Sequence, residues 1–306
     1  MATKRKYDAD FLLAEKIKRL TIVALVSDDD FFDRLVLKGG NAIEHTGIRP
    51  VRKSIDIDFS LDGSLDLLGS LSELQSRIAI MLNSTFSSEG LHVFDVRLKE
   101  RPENLKEDVL GEFWGGYEIR FKVIEAEAAK QCGLEQQRRR AIPLGRSERK
   151  EFSIDISKHE YCGEKRIKEI DGFNVYVYSE RMIVCEKIRA ICQQMPAYRE
   201  TVQSTSGSPR ARDFFDIYYI STTLALDFTT DEFWDTLRQV FAAKHVPEFL
   251  LGEINAHREF HRENFESVKD TVLREVDLKN FDFYVDYLVK KLAPLKPRWE
   301  VDLPAV

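Results

Sequence analysis

The 306-residue chain is 43% hydrophobic and 32% charged, with a formal net charge of −6, which allows one large core or two modest ones and excludes a disordered chain. The acidic balance excludes a protein that grips nucleic acid with its whole surface, though not one with a local basic patch. No apolar run is long enough to cross a bilayer, and the basic N-terminus lacks a signal core, so a cytoplasmic location without membrane contact is expected. Cys132, Cys162, Cys185 and Cys192 form neither a CxxC pair nor a secreted disulfide framework, which agrees with that location.

Leu13, Ile17, Leu20 and Ala24 recur at helical spacing and predict a first helix from Ala9 to Val26. Asp28, Asp29 and Asp30 interrupt it. Leu35-Val36-Leu37 then reads as a strand running into the turn Lys38-Gly39-Gly40-Asn41. After a loop with Arg49, Pro50 and Arg52, Ile55-Asp56-Ile57-Asp58-Phe59 alternates as a strand does. A helix is predicted from Leu67 to Met81 and a strand from His92 to Leu98. Tyr117, Ile119, Phe121 and Val123 form one face of another strand, and Phe152-Ser153-Ile154-Asp155-Ile156 reads as a further one. An Asp171-Gly172 turn leads into a final strand, Phe173 to Tyr178.

Beyond Tyr178 the pattern becomes helical. Glu180 to Met195 predicts a helix ended by Pro196. Gln203 to Pro209 reads as a flexible loop, followed by a helix with Asp213, Asp216, Ile217 and Ile220. Thr229 and Glu232 give the capping-box spacing of another helix, and Phe281, Tyr284, Val285, Leu288 and Leu292 mark a last one. The expected class is α+β: a mixed β-sheet with flanking helices over residues 1–178, then a mainly helical region over 179–306.

Within this frame, Asp56 and Asp58 are the residues best suited to chemistry. One residue apart on a strand, they share a face, while Ile55, Ile57 and Phe59 point into the core. Such a pair can hold magnesium, which takes hard oxygen ligands at about 2.1 Å. The same spacing also occurs on ordinary solvent-facing strands. The Gly39-Gly40 turn adds context, because glycines let backbone N–H groups approach phosphate oxygens.

Lys38-Gly39-Gly40-Asn41, then Arg52-Lys53-Ser54-Ile55-Asp56-Ile57-Asp58-Phe59, resembles the first motif of the AbiEii/AbiGii-type nucleotidyltransferase toxins. These are type IV toxin–antitoxin proteins of the DNA polymerase β-like nucleotidyltransferase superfamily. Ser179-Glu180-Arg181 through Cys185-Glu186-Lys187-Ile188-Arg189-Ala190 resembles the second motif, and Arg212-Asp213-Phe214-Phe215-Asp216-Ile217-Tyr218 the closing one. The resemblance implies a nucleotidyltransferase-like sheet domain and a helical domain completing the active-site cleft. It implies Mg2+, or Mn2+ in its place, held by Asp56, Asp58 and a third carboxylate on a neighbouring strand. Asp155 is the candidate, with the further role of accepting the proton of the attacking hydroxyl; Asp95 and Glu118 are rivals. The NTP would be bound by Lys38, Gly39, Gly40, Asn41, Arg52, Ser54 and Lys187. Asn41 stands where the superfamily usually has a hydroxyl residue, and its amide can still donate to phosphate. Lys187 lies on the apolar stripe of its helix, where a lysine either snorkels at an edge or faces a cleft; the resemblance implies the cleft. Asp213 would organise the site, either by holding Lys187 or by acting as base.

The implied activity is transfer of a nucleotide from an NTP to an acceptor, RNA and in particular the tRNA 3′ end, by a toxin of a toxin–antitoxin or phage-defence system with a separately encoded antitoxin protein. Arg138, Arg139, Arg140, Arg146, Arg149 and Lys150 crowd one segment just before Asp155, beside the lone acid Glu148. They form either a guide for an RNA backbone or a solvated loop. The competing readings are a small-molecule (antibiotic-type) nucleotidyltransferase and a non-catalytic nucleotide-binding regulator. His257 and His261, four residues apart, enclose Arg258-Glu259-Phe260 rather than the HExxH pattern, and are expected to be surface histidines.

Overall fold

Alternating apolar residues assemble into a mixed sheet, one face of which carries the main apolar core. The computed structural model describes residues 2–49, 51, 56–103, 113–143, 149–202, 207–273 and 275–300, with backbone alone for 2–11 and 201. Its described residues include the strands β1 (Leu35–Lys38), β2 (Ile57–Leu61), β3 (Leu91–Arg101), β4 (Gly116–Glu125), β5 (Phe152–Ser157), β6 (Arg166–Ile170) and β7 (Phe173–Val177). They lie in the order β3-β4-β5-β2-β1-β7-β6. β2 is parallel to β5 and β1 to β7, while the other neighbours are antiparallel. The α+β class read from the sequence is the class observed.

Leu35, Leu37, Ile57, Phe59, Ile119, Phe121, Ile154, Ile156, Val175 and Val177 all belong to one core cluster. The helices α1 (Ala2–Val26) and α4 (Leu71–Ser87) complete it with Ile17, Leu25, Ile78, Leu82 and Phe86. Each such side chain, taken fully out of water, contributes about 1.5–3 kcal/mol. Among the described residues, no helix is long and apolar enough to cross a membrane.

Several local signals work differently from the sequence reading. Asp28 does more than interrupt a helix. It caps α2 (Asp29–Arg34) by accepting from the Asp30 and Phe31 amides, and Arg77 grips it at 2.8 and 2.6 Å. The helix predicted from Leu67 begins later, at Leu71. Gly69 sits at φ +130, and Ser70 with Glu73 forms the capping box that starts α4. Pro196 does not end α7 (Glu180–Cys192), which stops earlier; it opens α8 (Pro196–Thr201) at a helical position that lacks an N–H partner anyway. Thr230, not Thr229, caps α10 (Asp231–Ala242), since the Thr229 hydroxyl donates to Asp227. β6 was not foreseen. Its Arg-Ile-Lys-Glu-Ile sequence lies largely exposed at the sheet edge and pairs with β7 across Asp171-Gly172, both at positive φ.

The chain divides into two compact units. One comprises Met1–Asn41, Ile55–Cys162 and Arg166–Val177; the other comprises Ala42–Ser54, Gly163–Lys165 and Tyr178–Val306. The longest segment of the second unit starts at Tyr178, and the unit also takes in two short segments from the N-terminal half. Their bonds show why. Leu273 N–H donates to the Val51 carbonyl at 2.8 Å, Tyr219 Oη donates to the Arg49 carbonyl at 3.1 Å, and the Thr236 hydroxyl donates to Glu164. Inside this unit α7 packs against α10 and α9 (Ala211–Thr223), and α9 against α12 (Phe265–Thr271) and α13 (Phe281–Leu292).

The register carries a direct expectation. Ile154→Ala, in the sheet centre, should cost about 2–5 kcal/mol in urea denaturation. Ile167→Ala, on β6 where the side chain is 53% exposed, should stay within about 0.5 kcal/mol. Equal costs would contradict the pairing.

Candidate active site

The registers that bury one sheet face align polar residues on the other. Lys38 pairs with Asp58, Asp58 with Asp155, and Asp155 with Glu118, on β1, β2, β5 and β4 in turn. Adjacent strands lie about 4.8 Å apart, so these four residues form one row across the sheet. Asp56, just before β2, is exposed and its charge is felt at Asp155.

Close packing holds this row. Gly39 adopts φ +66, and a Cβ there would stand 2.8 Å from Asp58 Oδ2, so both conformation and space require glycine. Asn41 is fully buried. Its Nδ2 donates to the Asp56 backbone carbonyl at 2.6 Å, and its Oδ1 has no partner among the described residues. The amide thus braces the chain entering β2, a role that the sequence reading missed because the two residues are separated by a loop. Lys38 is 8% exposed, with Nζ 3.4 Å from Glu160 Oε1. Gly40 lies beside Gly39 in the first turn of α3 (Gly39–Glu44).

The three candidate carboxylates differ in their surroundings. Glu118 is buried and committed to Arg101 at 2.5 Å and Arg120 at 2.9 Å. Asp95 sits at a bulge of β3 with φ +52. Arg138 and then Lys122 hold its carboxyl down at about 2, after partial offset by burial. Asp155 stands directly across from Asp58. Although open to solvent on one side, it is pushed above the ordinary 3.8, first by loss of water, then by Glu118 and Asp56, against the pull of Arg101 and Lys38.

Among the described residues, no group of three or more His, Cys, Asp or Glu side chains stands ready to hold a metal ion. The donor chemistry nevertheless suits magnesium or manganese. Asp56, Asp58 and Asp155 offer hard carboxylate oxygens, and the repulsion felt by Asp155 is what a cation would relieve.

The second unit holds a separate charged cluster. Lys187 on α7 is 7% exposed, and its Nζ lies 2.8 Å from Asp213 Oδ1 and 2.7 Å from Asp216 Oδ2 on α9. Its helix neighbours Val184 and Ile188 are fully buried. The lysine is therefore no edge residue snorkelling to water; it is a buried cation clamped between two carboxylates one turn apart. The second clamp, Asp216, was signalled in the sequence by that spacing alone.

The basic segment is only partly free-standing. Arg138 lies in the last turn of α6 (Leu134–Arg140), where it binds Asp95 at 2.7 and 2.9 Å and Glu135 at 2.6 Å. Those acids lie outside the segment, so the sequence count of one opposing acid is too low. Arg139, Arg140 and Arg149 are exposed, and Lys150 donates to the Arg139 carbonyl at 2.5 Å. Arg52, Ser54 and Arg146 lie outside the described residues. His261 corrects the expectation of two surface histidines. It is fully buried against Phe214 at 5.4 Å, and its Nδ1 accepts from the Arg210 N–H at 3.1 Å, while His257 is half-buried.

A family profile described as "Nucleotidyl transferase AbiEii toxin, Type IV TA system" matches residues 22–287, a span that contains both charged clusters. Among solved structures, the chain is similar to an antigenic nucleotidyltransferase-like protein from Paracoccidioides brasiliensis. The identity is 14%, the match covers 76% of this chain and 93% of that one, and the TM-score is 0.35; a likeness this remote carries no further argument. No curated protein matches the chain.

The strain at Asp155 has a measurable sign. Because the folded carboxyl binds its proton above 3.8, its ionised form opposes folding at neutral pH. Asp155→Asn should raise the melting midpoint in EDTA at pH 7 by about one or two degrees, on the order of 0.5 kcal/mol for a partly exposed site. The gain should fade as pH falls into the acid range where the wild-type carboxyl is protonated. A gain that grows in acid, or a loss at pH 7, would contradict the electrostatics.

Proposed function

From membership of the AbiEii family of nucleotidyltransferase toxins, to which the chain belongs, we propose that this nucleotidyltransferase moves a nucleotide from an NTP to an RNA hydroxyl, that of the tRNA 3′ end, breaking the α–β phosphoanhydride bond and releasing pyrophosphate. We place this activity in the cytoplasm, restrained by a separately encoded antitoxin protein. The observation that carries the reading is the opposition of Asp58 and Asp155 on adjacent strands of one sheet face, beside Lys38 and the glycine turn.

Asp56, Asp58 and Asp155 would hold Mg2+, or Mn2+, which when bound offsets the triphosphate charge and makes the α-phosphorus a better electrophile. The chain's own residues do the rest. The turn from Lys38 to Asn41, with Arg52 and Ser54, cradles the nucleotide. Gly39 leaves room for the Asp58 carboxylate and Asn41 braces the chain at Asp56. Lys187, paired with Asp213 and Asp216, would contribute a point charge to triphosphate binding. Asp155, whose proton affinity is raised, accepts the proton of the attacking hydroxyl. Arg139, Arg140 and Arg149, with Arg146 and Lys150, contact the acceptor backbone. Arg149 precedes Asp155 by six residues, about 20 Å of extended chain.

The decisive assay incubates the protein with each labelled NTP, magnesium and total RNA, comparing wild type with Asp58→Ala. Label should enter a tRNA band with wild type only. Label on small alcohols instead of RNA would point to an antibiotic-type transferase, and no transfer at all to a regulator. In the same assay, Arg139→Glu with Arg149→Glu should raise the KM for RNA and flatten its log–log salt dependence by roughly 1 per lost phosphate contact. An unchanged KM and slope would remove the basic segment from the acceptor path.

A further inference from the structure

We propose that His261 and Asn264 are positioning residues for Lys187: they cap α9 from outside the helix and thereby set the two aspartates that grip the lysine. The proposal rests on the reading of Lys187 as a nucleotide-binding cation.

A helix begins with N–H groups that have no partner within it, and a Ser, Thr, Asp or Asn at the cap usually satisfies one. α9 has no such residue. Its cap is Arg210, whose side chain makes no capping bond. The open groups are met from a distant part of the chain. The Arg210 N–H donates to His261 Nδ1 at 3.1 Å, and the Ala211 N–H donates to Asn264 Oδ1 at 3.1 Å. Asn264 Nδ2 also donates to the Pro209 carbonyl at 2.8 Å, so three consecutive residues, Pro209 to Ala211, are pinned where the helix begins.

The pinned turn leads directly to the clamp. The Asp213 N–H donates to the Arg210 carbonyl at 2.9 Å, so the residue capped by His261 also anchors the backbone of the first aspartate. Phe214, the next residue, packs on the His261 ring. Asp213 and Asp216 then hold the Lys187 ammonium. A rotation of the first turn of α9 would carry the Asp213 carboxylate away from it.

The chemistry of the ring fits this task. To accept from an N–H, Nδ1 must carry no proton, so the ring is neutral with its proton on Nε2. Burial, aided by His257 and Arg210 and opposed by Asp213, holds its pKa down at about 4 and keeps that state at neutral pH. Nε2 is buried with no partner among the described residues. An unpaired buried nitrogen opposes stability, so packing alone does not account for a histidine here, whereas the cap made by Nδ1 does.

The test compares His261→Phe, which keeps a ring against Phe214 but loses the acceptor, with His261→Asn, whose side-chain oxygen can take the place of Nδ1. Dissociation constants for ATP, CTP, GTP and UTP with magnesium are measured alongside melting curves, for these variants, Lys187→Ala and the Phe/Ala double variant. His261→Phe should weaken the preferred NTP about five- to tenfold while still melting cooperatively, and His261→Asn should bind within about twofold of wild type. Lys187→Ala should add little in the His261→Phe background, because both changes remove one interaction. Unchanged NTP binding in His261→Phe with a lowered melting point, or fully additive losses, would overturn the proposal while leaving the Lys187 reading intact. Unchanged binding in Lys187→Ala would overturn both. Should His261→Phe fail to fold, Asn264→Ala removes the neighbouring cap and carries the same comparison.

Discussion

A strand that turns Ile57 and Phe59 into a core has no freedom over where Asp58 points. The burial of one face of β2 and β5 sets the placement of Asp58 opposite Asp155, because a slip of one residue would drive carboxylates into the core and isoleucines into water. The apolar residues therefore act as the alignment device for the acids. The rest of the candidate site in the first unit, from the glycine pressed on Asp58 to the asparagine behind Asp56, refines a geometry that the register has already imposed.

The two charged clusters treat their central charge in opposite ways. Lys187 is matched by two carboxylates and is removed from water in a paired state, which makes it a stable but demanding element: loss of one partner leaves charge uncompensated. Asp155 has no such clamp: loss of water first, then Glu118 and Asp56, oppose its ionisation against the pull of Arg101 and Lys38. Such an arrangement lowers the stability of the protein wherever Asp155 is ionised.

Much of this was legible in the sequence because it depends on periodicity. The alternation around Asp58, the strand carrying Asp155 and the helical spacing of Asp213 and Asp216 are local patterns, and the elements that bear them are found where they were expected, whereas Asp56, expected on the same strand as Asp58, stands just before β2. What escaped notice depends on residues far apart along the chain. Arg138 is neutralised by Asp95, 43 positions away. His261 looked like a surface residue because its exposure is decided by Phe214 and by the turn before α9. β6 escaped for a different reason: as an edge strand it buries little and so carries no apolar alternation to read.

The division of the chain into units has a consequence for how this protein can be taken apart. The backbone passes from one unit to the other between Asn41 and Ala42, returns at Ile55, and crosses again around Gly163–Lys165 before the last passage at Tyr178. Residues such as Ala42, Ile43 and Ile48, encoded in the first half, are buried as parts of the second unit. Neither unit therefore corresponds to a contiguous piece of the gene. A cut at a single junction would strand apolar segments of one unit on the other piece, so the helical unit cannot be excised whole by one cut.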